Sequence, residues 1–359
     1  MLKRKVLIVT PSLGNGGAER VAALVSKMIF DSYDVTIVSG YDNSDFDFKG
    51  NYSSLGLNKG HFSIFTLVRA FYRMLHTTFK NKFDVVLDFR AKRNALIELV
   101  FILVFYRKIK KKIYTIHNLH DYTFFPRVLE RFVYKNTHAV AVSKEISKQI
   151  PVKPKSIELI NNALDFDFID RQKEEAITMD KPFVVTAGRM DDNVKRFNHV
   201  IEAYAKSGLS EAGVHLLILG DGVLKKELIE LTHELKCEAF VDFKGFQHNP
   251  FKYYTKAQFF ILSSKFEGFP MVLIEALACG TPVISYDCPT GPSEIIQHEY
   301  NGLLVENGNI NGLRKAITRM ESDKTLHLKC KVNAIKSVQH LSFENIKTQW
   351  KKLIESANF

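Results

Sequence analysis

The chain has 359 residues, of which 46% are hydrophobic and 25% charged, and its formal net charge is +11. That length exceeds the usual single domain and predicts two domains, while the ordinary composition excludes a low-complexity or disordered chain. The 4 cysteines show no CxxC spacing and all lie in the C-terminal half, so neither a zinc site nor a disulfide framework is indicated and a reducing cytosol is expected.

Strands and helices are predicted to alternate along the first half of the chain. The first apolar run, residues 5–10, is too short for a signal sequence and leads directly into a glycine-rich loop. The longest apolar run, Leu99 to Tyr106, is far below the roughly 20 residues that a membrane-spanning helix needs, so no transmembrane segment is predicted. The predicted strands are Lys5 to Thr10, Asp34 to Ser39, Phe83 to Phe89, Lys112 to His117 and Ala139 to Ser143.

A second alternation follows the polar stretch Asp165 to Lys181, which shows no apolar period and is predicted to be the domain boundary. Its predicted strands are Phe183 to Ala187, Val214 to Leu219, Val241 to Lys244, Phe259 to Ser263 and Pro282 to Tyr286. Such alternation is typical of α/β proteins with parallel sheets covered by helices. The last segment, Phe343 to Asn358, carries a helical apolar stripe formed by Ile346, Trp350, Leu353 and Ile354.

The window from Glu267 to Glu275 predicts an anion-binding helix start. Proline is favoured in the first helical turn, so the helix is expected to begin at Pro270 and to leave Glu267 in the preceding loop. Backbone N–H groups and the helix dipole favour a phosphate there, and Glu275 would lie roughly 7 Å further along the axis. A nucleoside diphosphate fits this spacing, with its ribose at Glu275 and a sugar on the far phosphate at Glu267.

This window resembles the Glu-x7-Glu motif of retaining family 4 glycosyltransferases. Five further segments occur in the family's order, and together the six span almost the whole chain. They are Gly16-Gly17-Ala-Glu-Arg20, Thr115-Ile-His117-Asn, Ala141-Val-Ser143, Gly188-Arg189 with Lys195, and Gly220-Asp-Gly222. The resemblance implies a GT-B fold, with two Rossmann-like doubly wound domains that face each other across a cleft. It implies an acceptor-binding domain at residues 1–164, a nucleotide-sugar-binding domain at 165–341, and a C-terminal helix at 342–359 that packs back on the N-terminal domain.

Sugar transfer from a nucleoside diphosphate needs positive charge at the departing phosphate, which usually supplies most of the acceleration. Arg189 and Lys195 follow a strand end, the usual place for ligands in open α/β sheets, and are the candidates for that role. The alternative is that they merely pair with the adjacent Asp191 and Asp192.

The resemblance supplies the remaining site residues. It places His117 near the donor sugar, a purely structural histidine being the alternative, and it implies retention of configuration with the leaving phosphate accepting the acceptor's proton. The predicted catalytic residues are His117, Arg189, Lys195 and Glu267. The predicted donor-binding residues are Gly16, Gly17, Gly188, Gly245, Phe246, Gly268, Phe269, Pro270, Met271, Val272 and Glu275. A plain turn before a helix is the alternative for the first two glycines.

The expected donor is UDP-GalNAc, UDP-Gal, UDP-GlcNAc or UDP-Glc, with no metal and no cofactor besides this co-substrate. The turn Lys244-Gly245-Phe246 would read uracil through its backbone groups, although guanine and adenine stay open. The sugar assignment rests on the stretch from Asp287 to Glu294, which resembles a subgroup that uses such donors.

Other classes fit the sequence less well. A glycoside hydrolase needs two carboxyls about 5 to 9.5 Å apart, whereas eight helical residues would separate Glu267 and Glu275 by roughly 12 Å. A dinucleotide-dependent oxidoreductase would have glycine where Glu19 stands. No recognition motif supports nucleic-acid binding. A non-catalytic nucleotide-sugar or anion-binding module, and a family 4 transferase with a soluble acceptor, remain alternatives.

The excess positive charge lies entirely in the N-terminal part of the chain. Residues 1–160 hold 26 Lys and Arg against 13 Asp and Glu, whereas the remainder holds 24 against 26. Basic residues next to apolar ones predict an anionic membrane surface, solvated surface helices being the bland alternative. The predicted membrane or acceptor residues are Arg69, Arg73, Lys80, Arg107, Lys108, Lys110, Lys111 and Lys112. In the family the N-terminal domain binds the acceptor, so a lipid-linked or lipopolysaccharide acceptor is expected, on the cytoplasmic face of the membrane in bacterial surface-glycan synthesis.

Overall fold

The computed structural model describes residues 3–14, 16–57, 63–91, 94–118, 134–135, 137–150 and 154–356. The chain divides into two compact units, one formed by residues 1–163 with 343–359 and the other by residues 164–342.

The first unit is built on a seven-stranded parallel sheet. Its strands are β1 Lys5–Thr10, β2 Asp34–Tyr41, β3 Asn51–Leu57, β4 Val85–Asp88, β5 Lys111–Ile116, β6 His138–Ala141 and β7 Ser156–Leu159. Their order is β3-β2-β1-β4-β5-β6-β7, so the winding reverses between β1 and β4. Its helices are α1 Gly17–Ile29, α2 Ile64–Asn81, α3 Ala95–Val100 and α4 Lys144–Gln149, with a π-helical turn at Phe101–Phe105.

The C-terminal segment belongs to this first unit, where the helix Phe343–Glu355 packs against α1. The four residues of its predicted apolar stripe, Ile346, Trp350, Leu353 and Ile354, are buried. Tyr33 also donates a 2.9 Å hydrogen bond to the Glu355 carboxylate.

The second unit has a six-stranded parallel sheet. Its strands are β8 Phe183–Ala187, β9 His215–Leu219, β10 Val241–Gly245, β11 Phe260–Leu262, β12 Val283–Asp287 and β13 Gly302–Glu306. Their order is β10-β9-β8-β11-β12-β13, which puts the reversal between β8 and β11. Its helices are α5 Phe166–Lys173, α6 Phe197–Ala205, α7 Lys225–Glu234, α8 Phe251–Tyr254, α9 Met271–Ala278, α10 Pro292–Ile295, α11 Ile310–Ser322 and α12 Lys324–Val338.

The predicted α/β class, with two doubly wound domains, is confirmed, and so are the ten predicted strands within a few residues. Three strands were missed, β3, β7 and β13, and each lies at a sheet edge. The polar stretch from Asp165 to Lys181, predicted to be the domain boundary, follows the point at which the chain divides into its two units. The stretch contains α5, whose Ile169 is buried and whose Phe168 packs edge-on against Phe251 at 6.0 Å.

No helix in the described part of the chain is long and apolar enough to cross a membrane.

Candidate functional site

The loops that follow β8 and β11 form the candidate site of the second unit. These two strands flank the reversal in strand order, and in open α/β sheets the crevice at the carboxyl ends of such strands is the usual ligand site. Gly188, Arg189 and Lys195 follow β8, while Glu267 follows β11. The fold therefore brings the two predicted chemical groups, cation and carboxylate, to one edge of one sheet.

Lys195 and Glu267 are in direct contact. The Lys195 ammonium lies 2.5 Å from Glu267 Oε1, and the two side chains are 23% and 12% exposed. The alternative that Lys195 pairs with Asp191 or Asp192 is wrong. Because the pair is partly shielded from water, its attraction is screened less than that of a surface ion pair.

Arg189 has a different environment. Its side chain is 71% exposed, and its guanidinium reaches Asp191 only at the limiting distance of 4.0 Å. Such an exposed pair contributes little to stability, so the guanidinium can leave the aspartate for a phosphate at small cost.

The predicted phosphate loop, residues 267–270, is held by the loop that follows β12. Thr290 donates its hydroxyl to the Glu267 carbonyl. Gly291 has φ +93°, and a Cβ there would lie 2.5 Å from Pro270 Cδ, so only glycine allows the two loops to pack this closely. The backbone at the start of α9 is thus fixed before any ligand contact.

The helix α9 begins at Met271, one residue later than predicted. Pro270 is the N-cap, with φ −66° and ψ 108°, because its extended ψ ends the loop rather than opening the helix. Met271 and Val272 form the first turn and are half-buried, while Phe269 is buried. Glu275 is only 1% exposed, and its assignment to ribose stays a prediction.

The predicted base-binding turn lies beside the same sheet edge. Gly245 ends β10, and its carbonyl accepts a 2.8 Å hydrogen bond from the N–H of Gly220. The Phe246 ring is 50% exposed and stands edge-on to His248, with centroids 4.9 Å apart. An exposed ring next to backbone polar groups is suited to binding a planar base.

In the first unit, the predicted glycine pair lies at the start of α1. Gly16 is the N-cap in an extended conformation and Gly17 is the first helical residue. A side chain at Gly16 would collide with the Glu19 carboxylate, which folds back over the start of the helix. A carboxylate three residues after the N-cap stabilises such an end.

His117 follows β5 and is half-buried in an aromatic stack. Its ring lies 5.7 Å from that of Phe89 at 29°, and Phe89 lies 6.2 Å from Trp350 of the C-terminal helix. This packing fixes the imidazole, and its predicted contact with a donor sugar stays a prediction.

A buried ion cluster at the end of β4 was not predicted. Arg90 donates to the Asp88 carboxylate at 2.7 Å and to Glu98 at 3.1 Å, and its guanidinium lies 3.3 Å over the ring of Phe101. Tyr106 adds a hydrogen bond to Asp88 at 3.0 Å. Arg90 directly follows the predicted strand Phe83 to Phe89, and this position is the sequence signal that could have identified the cluster.

Comparison with known proteins identifies a family that the second unit resembles. The model of the family described as Glycosyl transferases group 1 matches residues 167–337, which lie within the second unit. These residues are similar to the group 1 glycosyl transferases. The recognition as a family 4-type transferase with the GT-B fold is thereby confirmed.

Two curated relatives and one solved structure illustrate what the chain is similar to. N-acetylgalactosamine-N,N'-diacetylbacillosaminyl-diphospho-undecaprenol 4-alpha-N-acetylgalactosaminyltransferase of Campylobacter jejuni is 39% identical over 184 residues, covering 50% of this chain and 49% of the relative. The amylovoran biosynthesis glycosyltransferase AmsD of Erwinia amylovora is 26% identical over 304 residues, covering 82% of this chain and 84% of the relative. The structure of Anabaena Alr3699/HepE in complex with UDP and glucose has a TM-score of 0.79 at 18% identity, covering 98% of this chain and 100% of that one. The chain spans about half the length, or less, of the first curated relatives it matches.

The first unit exposes an apolar and basic surface on α2 and α3. Only Ala70, Met74 and Thr78 of α2 are buried. The exposed large apolar side chains of the two helices are Ile64, Phe65, Leu67, Val68, Phe71, Tyr72, Phe79, Leu96, Ile97 and Val100, and Leu103 of the π-helical turn joins them. We call these residues, with the exposed cations Arg69, Arg73, Lys80, Arg107, Lys108 and Lys110, the basic-apolar surface.

Arg69 and Arg73 line a groove of about 730 Å³ between α2 and β3. Arg73 donates to the Ser54 carbonyl at 3.3 Å, and Arg69 reaches the Gly56 carbonyl at 3.5 Å. These are long, weak hydrogen bonds, so both guanidiniums can turn to an anionic ligand.

The assignment of Lys111 to a membrane or acceptor surface is wrong. Lys111 lies in β5 and is 7% exposed, and its ammonium donates to the Leu353 carbonyl and to the carbonyl and hydroxyl of Ser356. Lys112 is half-buried and donates to the Ile109 carbonyl at 2.9 Å, and burial lowers its pKa. The run of basic residues continues into the strand β5, so Lys111 is buried and Lys112 is half-buried there.

Proposed function

We propose that the protein is a retaining hexosyltransferase that moves a sugar from a UDP-sugar to a lipid-linked saccharide in bacterial surface-glycan biosynthesis. The observation that carries this proposal is the contact between Lys195 and Glu267 at the carboxyl ends of β8 and β11. A cation for the diphosphate and a carboxylate for the sugar hydroxyls are the two groups that such a donor requires. The candidate donors are UDP-GalNAc, UDP-Gal, UDP-GlcNAc and UDP-Glc.

The bond to be broken joins the anomeric carbon to the oxygen of the terminal phosphate, and negative charge develops on that oxygen. Lys195 has three ammonium hydrogens and uses one on Glu267, so it keeps donors for the diphosphate. Arg189 is free to add its exposed guanidinium, and the N–H groups at the start of α9 add further donors. Stabilising charge that appears only in the transition state is what raises turnover.

Retention follows in this proposal from an exchange on one face of the sugar. The departing phosphate oxygen takes the proton of the acceptor hydroxyl, which then bonds to the anomeric carbon. Glu267 and Glu275 bind donor hydroxyls and need not act as nucleophile or base. No metal and no further cofactor takes part.

The acceptor would bind to the first unit. Its basic-apolar surface combines exposed aromatic and aliphatic side chains with cations, the chemistry that holds an amphipathic helix to an anionic bilayer. The Campylobacter jejuni relative is named as a transferase acting on a diphospho-undecaprenol saccharide, which supports an acceptor of this kind. The protein would then work at the cytoplasmic face of the membrane.

Thermal stabilisation by ligands tests the donor assignment first. Ligands that bind only the folded state raise the melting temperature by mass action. We expect a rise with UDP and a further rise with one of the four UDP-sugars, and little with GDP or ADP. No rise with any nucleotide would contradict the proposed donor site.

Two alternatives are separated by turnover. A non-catalytic module would bind the UDP-sugar and never release UDP, whereas the proposed enzyme releases UDP and is unaffected by EDTA. A transferase with a soluble acceptor would label water-soluble saccharides, whereas the proposed enzyme transfers radiolabelled sugar to a product extracted into organic solvent.

A further inference from the structure

Two consecutive buried serines follow β11 and lie outside the residues so far assigned to the donor site. Ser263 is 1% exposed and Ser264 is fully buried. Ser264 donates its hydroxyl to Glu267 Oε1 at 2.6 Å, the same oxygen that receives the Lys195 ammonium at 2.5 Å. Among the residues that the structure describes, none hydrogen-bonds the other oxygen, Oε2. The carboxylate is therefore held by one oxygen and presents the second.

Ser263 binds the loop that carries Lys195. Its hydroxyl donates to the carbonyls of Lys195, at 2.6 Å, and Arg196, at 2.8 Å. Arg196 has φ +48°, a left-handed conformation that is strained for a non-glycine residue and persists only where its surroundings impose it. The N–H of Lys265 adds a 2.7 Å hydrogen bond to the Val194 carbonyl. Ser263 and Lys265, both just after β11, thus fix the loop after β8.

These contacts have a chemical consequence for both side chains. A hydroxyl that donates to a carboxylate makes a stronger hydrogen bond than one between neutral groups, and burial raises the cost of losing it. A site works only when its groups are held close to their productive geometry by neighbours. The Ser264 hydroxyl holds Oε1 of Glu267 and leaves Oε2 to face a ligand. The Ser263 hydroxyl fixes the position of the Lys195 backbone, from which the ammonium group extends.

We propose that Ser263 and Ser264 are positioning residues of the donor site, Ser264 orienting the Glu267 carboxylate toward a hydroxyl of the donor sugar and Ser263 placing Lys195 at the diphosphate. This rests on the proposed function, because it takes a UDP-sugar as the ligand. Both serines are buried and spend their hydroxyls on Glu267 and on the Lys195 loop, so in this proposal they act through the ion pair.

The test compares UDP with UDP-sugar binding by isothermal titration calorimetry on the full chain. UDP lacks the sugar, so the ratio of the two dissociation constants measures the sugar contacts alone. We expect Ser264→Ala to reduce the gain from the sugar by about fivefold, the equivalent of about 1 kcal/mol, and to leave UDP affinity unchanged. Ser264→Thr, which keeps the hydroxyl, should restore most of the gain, and Ser264→Cys should behave like Ser264→Ala if the latter folds poorly.

A double-mutant cycle shows whether Ser264 acts through Glu267. If it does, adding Ser264→Ala to Glu267→Gln changes sugar binding no further, because the effects of residues in one hydrogen-bonded network do not add. The matched control is Ser285→Ala, a serine 1% exposed in β12 whose hydroxyl donates to the Tyr286 carbonyl at 2.8 Å. It should leave both affinities unchanged.

Ser263 is tested on rate rather than on binding. Ser263→Ala should lower the kcat of UDP-sugar hydrolysis about tenfold with little change in KM, because Lys195 would be misplaced mainly in the transition state. A positioning role would be contradicted if Ser263→Ala changed kcat and KM equally, or if it changed kcat no more than Ser285→Ala does.

The binding results distinguish failure of the proposed function from failure of the role given to the serines. Wild-type protein that binds neither UDP nor any of the four UDP-sugars overturns the proposed function and this inference together. Wild-type protein that gains affinity from the sugar, with Ser264→Ala and Ser264→Cys keeping the full gain, overturns only the role of the serine.

Discussion

Lys195 Nζ lies 2.5 Å from Glu267 Oε1, although 72 residues separate the two in sequence. The strand reversal between β8 and β11 is what joins them, since it brings the carboxyl ends of two distant strands together. Ligand chemistry explains a cation and a carboxylate at such a place, because the carboxyl ends of the strands that flank a reversal are the usual ligand site of an open α/β sheet.

Lys195→Ala should therefore lower turnover. Removing one preorganised donor to a developing charge typically reduces the rate by about 10² to 10³. We expect a reduction of this size in kcat for release of UDP from the UDP-sugar. The control is Lys252→Ala, which breaks another lysine–glutamate pair of the same unit, that with Glu175, and should leave kcat unchanged. Equal rates for the two variants would remove Lys195 from the site.

The edge strands show what the sequence could not predict. The ten predicted strands include every central one, because buried strands of a parallel sheet are almost continuously apolar. The three missed strands lie at sheet edges, where one side of the strand meets solvent: β7 has only half-buried and exposed residues, and β3 has a single buried one. The polar faces of β3 and β7 remove the apolar run on which the prediction depends, whereas β13 is itself apolar and nothing of this kind explains why it was missed.

The sequence predicted some residues of the candidate site and missed others. Motif letters locate Glu267 and Lys195 because both fall in segments that resemble those of family 4 glycosyltransferases. They do not identify Ser264, since a serine after a strand is common and only the three-dimensional contact gives it a role. Charge runs likewise do not reveal which lysine faces inward, as Lys111 demonstrates.

Arg90 is expected to be essential for the stability of the first unit. Its guanidinium neutralises Asp88 and Glu98, which are 0% and 2% exposed. Removing the cation from such a buried cluster leaves uncompensated charge and typically costs about 3–5 kcal/mol. Arg90→Met should accordingly lower the free energy of unfolding by this amount in urea denaturation. Arg319→Ala, which breaks the exposed pair with Glu299, should change it by less than about 1 kcal/mol.

Charge reversal on α2 tests the membrane role. Arg69→Glu with Arg73→Glu should abolish sedimentation with anionic vesicles and impair transfer to a lipid-linked acceptor, while UDP release by hydrolysis of the donor is kept. Lys331→Glu with Lys336→Glu changes the net charge equally on exposed positions of α12 and serves as the control. Equal binding of the wild type to neutral and anionic vesicles, or equal losses in both double variants, would contradict an electrostatic membrane surface.

The thiol of Cys288 should make the free energy of unfolding depend on pH above 9.0, the ordinary pKa of a cysteine. Burial, with a smaller contribution from Glu267, raises the pKa of this thiol from 9.0 to about 12. The folded state thus holds the proton more tightly than the unfolded state, so the contribution is fully present below pH 9 and is lost as the pH rises toward 12. Cys288→Ala should show a smaller drop in melting temperature between pH 8.5 and 10.5 than the wild type, on the order of that expected for one ionising group. Identical drops would mean that the thiol is accessible to water.

Two adjacent lysines should separate folding from surface binding. Lys110 is exposed and belongs to the basic-apolar surface, whereas Lys111 donates to the Ser356 carbonyl at 2.9 Å and hydroxyl at 2.7 Å near the end of the C-terminal helix. Lys111→Met removes these hydrogen bonds and leaves buried acceptors unsatisfied, which costs about 1–3 kcal/mol and lowers the melting temperature. Lys110→Met should leave the melting temperature unchanged and weaken sedimentation with anionic vesicles, by roughly the 1 kcal/mol that one cation near such a surface contributes. If Lys111→Met instead weakened vesicle binding and spared stability, the side chain would have to leave its buried position in solution, and the corrected assignment would fail.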